Sequence, residues 1–260
     1  MNRITSAFEK RNAFIPFITA GDPSLEVTEQ LILGMAEAGA DIIELGIPFS
    51  DPVAEGPVIQ EADERALSAG ATTDRIFDMV TRVRKVCNIP LAFMTYMNPV
   101  YTYGTERFLD NCRRAGVDAL IVPDVPYDER EELLPYCRKY GVAHISMIAP
   151  TSRERIHTIA REAEGFLYCV SSMGVTGVRN EIGAEVKEMI RQVREVTQVP
   201  CAIGFGISTP DQANRMAAFA DGIIVGSAIV KIVARYGKDC VPHVKEYVQS
   251  MKGAVIENVS

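Results

Sequence analysis

The chain has 260 residues, 47% hydrophobic and 23% charged, the proportions of an ordinary globular protein long enough to bury one sizeable core. A formal net charge of −7 excludes a surface built to attract nucleic acid or anionic membrane, so an anionic substrate needs a local site. The 6 cysteines form no C-x-x-C pair and the 3 histidines stand apart, which argues against a disulfide framework or zinc site and for a reducing, cytoplasmic setting.

The opening MNRITSAFEKRN lacks the apolar run of a secretory leader. No later stretch approaches the roughly 18 apolar residues of a membrane span. The first strand signal is FIPFITAG at 14–21, ending in a Gly-Asp-Pro turn. Asp22 or Ser24 is placed to cap the next helix, over 25–40, which Gly39 stops. DIIELG at 41–46 reads as the second strand, and the long loop 47–57 follows it. Helical patterns then run through IQEADERALSAG and TTDRIFDMVTRVRKV.

The alternation continues to the end. Strands are expected at 90–96, 117–124, 142–148, 166–171, 200–206 and 220–226. Helical segments separate them, and the last residues, AVIENVS, read as a frayed tail. Strands that are apolar runs without strict alternation belong to a parallel sheet covered on both faces. Eight βα units in this length predict an α/β fold, a (β/α)₈ TIM barrel forming one domain over 1–260. A doubly wound open sheet is the structural alternative.

Barrels of this kind often bind phosphate at the loops after their last two strands. Here the seventh strand ends in Gly204-Phe205-Gly206 and the eighth in Gly226-Ser227, which opens a short helix. Glycine lets an oxyanion approach the backbone, and a helix start offers free N–H groups. Ser227 adds a hydroxyl, and Gly174-Val175-Thr176-Gly177 after the sixth strand adds further N–H groups. The pattern needs no lysine. Neither GxGxxG nor GxxxxGK[ST] occurs, which disfavours dinucleotide and P-loop readings.

Glu44 near the end of the second strand faces the barrel mouth or the core, and partial burial there raises a carboxyl pKa into the range useful for proton transfer. Glu55 stands in the following loop, which Pro48, Pro52 and Pro57 stiffen. Asp51 and Asp124 read as loop braces. Tyr168 offers a phenol to the same mouth.

The stretch GADIIELGIPFSDPVAEGPVIQ closely resembles the signature of the tryptophan synthase alpha subunit. FIPFITAGDP, VPDVP, GVTG, GFGIS and GSAIVK resemble further motifs of that family, in its order and at its spacing. The resemblance covers nearly the whole chain. It implies a lyase that splits indole-3-glycerol phosphate to indole and glyceraldehyde 3-phosphate in tryptophan biosynthesis. By motif, Glu44 matches the catalytic glutamate and Tyr168 a tyrosine beside it. Phe17 and Phe205 match the residues that sandwich the indole, with Ile59 and Tyr96 nearby. Gly177, Gly206, Gly226 and Ser227 match the phosphate cradle. The loop 171–180, carrying Thr176, matches a lid.

One position departs. Glu55 stands where the family has an aspartate that hydrogen-bonds the indole N–H, and it is one methylene longer. The family's alpha chain needs no cofactor or metal. Its partner is a beta subunit that carries pyridoxal phosphate, in an alpha2beta2 assembly, and the loops around Pro52 and Asn98-Pro99 would lie near that partner. Other readings remain: a sugar-phosphate isomerase or epimerase, for which His144 is the one candidate metal ligand; a non-catalytic subunit that binds a phosphate ligand; and a lyase that works without a partner.

Overall fold

The computed structural model describes residues 3–9, 12–170, 182–204 and 206–256. Its strands are β1 Ala13–Thr19, β2 Ile43–Gly46, β3 Leu91–Met94, β4 Ala119–Ile121, β5 Ala143–His144, β6 Ser146–Ile148, β7 Leu167–Val170, β8 Cys201–Gly204 and β9 Gly222–Val225. All paired neighbours are parallel, in the order β5-β4-β3-β2-β1-β9-β8-β7-β6. The first strand therefore pairs with the second on one side and the last on the other. That pairing, Ala13 opposite Gly222 and Phe17 opposite Glu44, is incompatible with an open doubly wound sheet.

β5 and β6 are two pieces of one run interrupted at Ile145, whose N–H donates to Leu120 O at 2.9 Å. The run pairs with β4 through β5 and with β7 through β6, which brings the ring round. The expected eight-strand barrel is thus present, with its fifth strand split in two.

The helices are α1 Arg3–Ala7, α2 Leu25–Glu37, α3 Pro57–Ser68, α4 Thr73–Val83, α5 Met97–Tyr103 and α6 Thr105–Ala115. They continue as α7 Leu134–Tyr140, α8 Arg153–Arg161, α9 Ile182–Arg194, α10 Pro210–Ala217, α11 Ser227–Tyr236 and α12 Cys240–Ile256. Ser24 caps α2 by accepting from the Val27 N–H at 3.3 Å. Asp22 does not cap; it takes two hydrogen bonds from Arg65, at 2.9 and 2.8 Å. Asp124 accepts from the Met97 N–H at 3.0 Å and so ties the loop after β4 to the start of α5. Asp51 accepts from the Ser50 hydroxyl within its own loop.

The expected frayed tail begins too early. α12 runs to Ile256, because Val255 is buried and its carbonyl accepts from the Asn12 side chain at 3.1 Å. A buried side chain and a satisfied carbonyl hold the last turn in place.

Two apolar layers follow from the strand alternation. One lies between strands and helices and includes Phe14, Ile18, Leu45, Phe93 and Leu120. The other fills the barrel interior and includes Ile15, Ile42, Ala92, Ala119, Phe166, Tyr168 and Ala202. Alanines there make room for the larger side chains across the ring. Among the described residues, no helix is long and apolar enough to cross a membrane.

At the N-terminal end of the strands, Asp118 joins three elements. It accepts from Arg84 at 2.8 Å, from Arg3 at 2.7 Å and from the Leu91 N–H at 2.9 Å. Arg84 is itself mostly buried, so removing its partner leaves an uncompensated charge. Asp118→Ala is expected to cost about 3 kcal/mol in urea unfolding. An unchanged midpoint would show that this anchor carries no stability.

Candidate active site

The strand register places β1, β2, β7, β8 and β9 with their C-terminal ends around one mouth. A cavity of about 340 Å³ opens there. Glu44, Glu55, Tyr168, Phe17, Ile59, Gly206, Gly226 and Ser227 all line it. Thr176, Gly177, Phe205 and the loop 171–180 lie outside the described residues.

Glu44 reaches the mouth from the inner face of β2, opposite Phe17 and Ala92 in the neighbouring strands. It is 1% exposed, and its Oε2 has no hydrogen-bond partner among the described residues. Loss of hydration raises its pKa to about 8, and the nearby Glu55 charge adds to the rise. The Tyr168 phenol stays neutral: burial, and then the Glu44 charge, hold it well above its ordinary range. It is a hydrogen-bond donor beside the acid.

Glu55 comes from the loop between β2 and α3. Burial raises its pKa as well, opposed by hydrogen bonds from Asp63 and Tyr96. Its Oε2 is out of solvent and has no hydrogen-bond partner among the described residues. Tyr96 does not line the cavity. It is 2% exposed and stands behind Glu55, its ring 5.6 Å from that of Phe49 and its hydroxyl accepting from the Ala54 N–H at 3.1 Å.

The apolar wall is a small cluster of its own: Phe17 and Ile59, with Ala62, Val230 and Met94. Two glycines make space for its rings. A methyl group on Gly46 would lie 2.7 Å from Cζ of Phe17, and one on Gly204 would lie 2.8 Å from Cζ of Tyr168. These distances are closer than carbon atoms approach, so Gly204 serves the aromatic wall. Gly206 has φ of 73°, a left-handed conformation that favours glycine.

The polar end is the turn from β9 into α11. α11 starts at Ser227, and its first N–H groups have no carbonyl one turn back to bond. Gly226 and Gly206 keep that approach open, and Ser227 and Ser208 add hydroxyls. Lys231 also lines the cavity, although the sequence pattern called for no lysine. The signal for it was its spacing: four residues after Ser227 on the same helix puts both on one face. Asp63 was missed too. It occupies the buried stripe of α3 with Ile59, Ala62 and Ala66, an acid at a core position of an amphipathic helix.

Among the described residues no group of three histidine, cysteine or acidic side chains could hold a metal ion. His144, the one metal candidate in the sequence, lies in β5. Burial first, and then Arg130, push its pKa down to about 4, so its imidazole is neutral.

The arrangement is an acid that starts protonated, a second carboxyl, an apolar slot and a glycine turn opening a helix, all on one cavity. Comparison with known proteins agrees with it. A sequence model of the tryptophan synthase alpha chain family matches residues 5–256. The tryptophan synthase alpha chain of Lacticaseibacillus casei is 47% identical over 255 residues, covering 98% of this chain and 96% of that protein. The crystal structure of tryptophan synthase subunit alpha from Legionella pneumophila superposes with a TM-score of 0.89 at 37% identity, covering 99% of each chain. A chain from the tryptophan synthase a2b2 complex of Pyrococcus furiosus superposes with a TM-score of 0.86 at 36% identity, covering 94% of this chain and 99% of that one.

The burial of Glu44 has a cost that depends on pH. The folded state keeps a proton that the unfolded chain releases above its ordinary pKa of 4.5. Folded stability therefore falls as pH rises from about 4.5 towards about 8, and the cost is complete above that. Glu44→Gln removes the ionisation. It is expected to be more stable than the native chain by on the order of 3 kcal/mol at pH 9, with the gap closing towards pH 5. Urea titrations at both pH values check this, and a pH-independent gap would refute it.

Proposed function

The chain belongs to the tryptophan synthase alpha chain family, and from that premise we propose how its own residues carry out the family's reaction. It is a lyase that cleaves indole-3-glycerol phosphate to indole and glyceraldehyde 3-phosphate, in tryptophan biosynthesis. The observation that carries the residue assignment is the pair of carboxyls, buried Glu44 and half-buried Glu55, on one cavity that the Gly226-Ser227 turn also lines.

The substrate's phosphate docks at the start of α11, held by backbone N–H groups at Gly206, Gly226 and Ser227, with the Ser227 hydroxyl and the charge of Lys231. The indole lies against Phe17 and Ile59. Glu44 enters protonated and gives its proton to the ring carbon that bears the glycerol chain. The ring nitrogen becomes positive, and Glu55 accepts its N–H and stabilises that charge. The Glu44 carboxylate then takes the proton of the adjacent glycerol hydroxyl. The carbon–carbon bond breaks, its electron pair returns to the ring, and the hydroxyl carbon leaves as an aldehyde. Glu44 ends protonated, ready for the next substrate, and Tyr168 orients it throughout.

This acid–base cycle uses no cofactor in the alpha chain. Pyridoxal phosphate belongs to the beta subunit, with which the chain assembles as in the a2b2 relatives. Val53 in the loop after β2 and Tyr101 in α5 are large apolar side chains, 79% and 74% exposed, at the loops expected to face that partner. The protein is read as one domain working in the cytoplasm. The isomerase, epimerase and non-catalytic readings lose their footing: His144 lies away from the cavity lining, and both carboxyls line it.

Indole release from indole-3-glycerol phosphate, measured with a matched beta subunit, tests the assignment. Glu44→Gln is expected to lose about 1,000-fold in kcat, the scale of a lost general acid–base. Glu55→Gln is expected to lose about 100-fold, the scale of one lost electrostatic stabiliser. Because Glu44 must start protonated, kcat of the native chain is expected to fall as pH rises through about 8. Full activity in either Gln variant would remove that residue from the mechanism, and a kcat flat to pH 10 would contradict the protonated starting state.

A further inference from the structure

A backbone anion site works only while N–H groups face the anion and carbonyl oxygens face away from it. The turn after β8 borders the cavity, which Gly206, Ile207 and Ser208 all line. Its left-handed step at Gly206, with φ of 73°, leads to a peptide unit, Ser208 to Thr209, that is held at both ends. The Thr209 N–H donates to Gln212 Oε1 at 3.2 Å, and the Ser208 N–H donates to the same oxygen at 2.8 Å. The Ser208 carbonyl accepts from the Tyr247 hydroxyl at 2.9 Å. A trans peptide is planar, with its C=O and N–H pointing in opposite directions, so contacts at the two ends together fix its orientation.

The two holding side chains come from different helices. Gln212 belongs to α10, where it forms a capping box with Thr209. Tyr247 belongs to α12, 39 positions from Ser208, and packs half-buried against the layer between strands and helices. That helix is itself pinned. Asn214 of α10 donates to the Ala254 carbonyl at 2.9 Å, the Asn12 side chain to the Val255 carbonyl at 3.1 Å, and Lys252 to the Asn12 carbonyl at 3.2 Å. The hydroxyl is therefore carried on an element whose place is already set. Burial pushes the Tyr247 phenol up to about 12, so it keeps its proton, and stays a donor, across the neutral range.

We propose that Tyr247 is a positioning residue for the phosphate end of the site: its hydroxyl holds the Ser208 carbonyl oxygen away from the anion and so keeps the turn after β8 in its anion-binding form. That role rests on the reading that the substrate's phosphate docks at Gly206, Gly226 and Ser227. Without the hydroxyl, the 208–209 peptide keeps only its Gln212 contacts and is free to turn about them. Turning swings the negative end of a carbonyl dipole towards the phosphate and draws neighbouring N–H groups off it. The phosphate is held alike in the substrate and in the transition state, because the bonds that change lie at the other end of the molecule. The loss therefore falls on KM and leaves kcat in place.

Steady-state kinetics of the alpha chain with its beta subunit test this, with glyceraldehyde 3-phosphate and indole as separate inhibitors of the cleavage. Tyr247→Phe removes one hydroxyl and leaves the ring. It is expected to raise KM for indole-3-glycerol phosphate about 5-fold, the scale of one hydrogen bond, with kcat unchanged. Inhibition by glyceraldehyde 3-phosphate is expected to weaken by the same factor. Inhibition by indole, which lies against Phe17 and Ile59, is expected to stay at its native strength. A general disturbance of the barrel would weaken both inhibitors. Gln212→Leu combined with Tyr247→Phe releases both ends of the peptide, and is expected to weaken glyceraldehyde 3-phosphate by more than the product of the two single losses.

Native KM in Tyr247→Phe, equal weakening of both inhibitors, a fall in kcat at unchanged KM, or losses that simply multiply in the double variant each overturn the proposal. Should Gln212→Leu not fold, the two inhibitors on Tyr247→Phe decide. Ser227→Asp separates this role from the reading beneath it, because a carboxylate at the start of α11 repels an anion there. If that variant is inhibited by glyceraldehyde 3-phosphate as the native chain is, the placing of the phosphate itself fails. If it loses that inhibition while Tyr247→Phe keeps it at native strength, only the role of Tyr247 fails.

Discussion

A carboxyl group kept out of water at the end of β2 is the constraint on which the rest of the structure depends. Glu44 has strands on both sides, and its Oε2 has no hydrogen-bond partner among the described residues. An ionised carboxylate in such a place costs several kcal/mol, so the group carries a proton instead. The proton makes it an acid near neutral pH, and the poor solvation of the anion makes it an effective base once the proton has gone. The barrel supplies this environment because its interior is packed with Ile42, Ala92, Phe166 and Tyr168 and is not a water-filled pore. The stability given up at Glu44 is recovered elsewhere, in apolar layers and in charge anchors such as Asp118 at the opposite end of the strands.

The mouth separates two kinds of recognition. Its apolar side is made by side chains, and glycines such as Gly46 and Gly204 act there by leaving space for a ring. Its polar side is made largely by backbone, where Gly206 and Gly226 leave space for an anion to reach N–H groups. Backbone donors bind an anion without a general positive field, so a chain of net charge −7 needs only a local site for a phosphorylated substrate. Lys231 adds one local charge at that end.

The acids around the mouth form a graded series. Asp22 is tied to Arg65, the charge of Glu55 bears on Asp63, and Glu44 Oε2 has no hydrogen-bond partner among the described residues. Charge that is paired stays ionised, and charge that is only buried becomes protonated. The functional differences among these carboxyls come from their partners, since their chemistry is the same.

The sequence by itself determined the barrel, the two acids, the glycine turns and the family, because each is written in short-range order. Strand and helix periods span a few residues, and a glycine after a strand has a local steric meaning. Glu44, Glu55, Tyr168 and the 226–227 turn were legible for that reason. Only the tertiary structure decided what depends on residues far apart in the chain. It brought α12 back against Asn12 and so kept helical an end that read as frayed. It put Tyr96 behind Glu55 and brought Lys231 to the cavity. It put Asp63 on the buried face of α3 with Ile59, Ala62 and Ala66, because that helix turns this face inward after Pro57. Burial and the distance between charges belong to the folded chain as a whole, and those two quantities fix which carboxyl holds a proton.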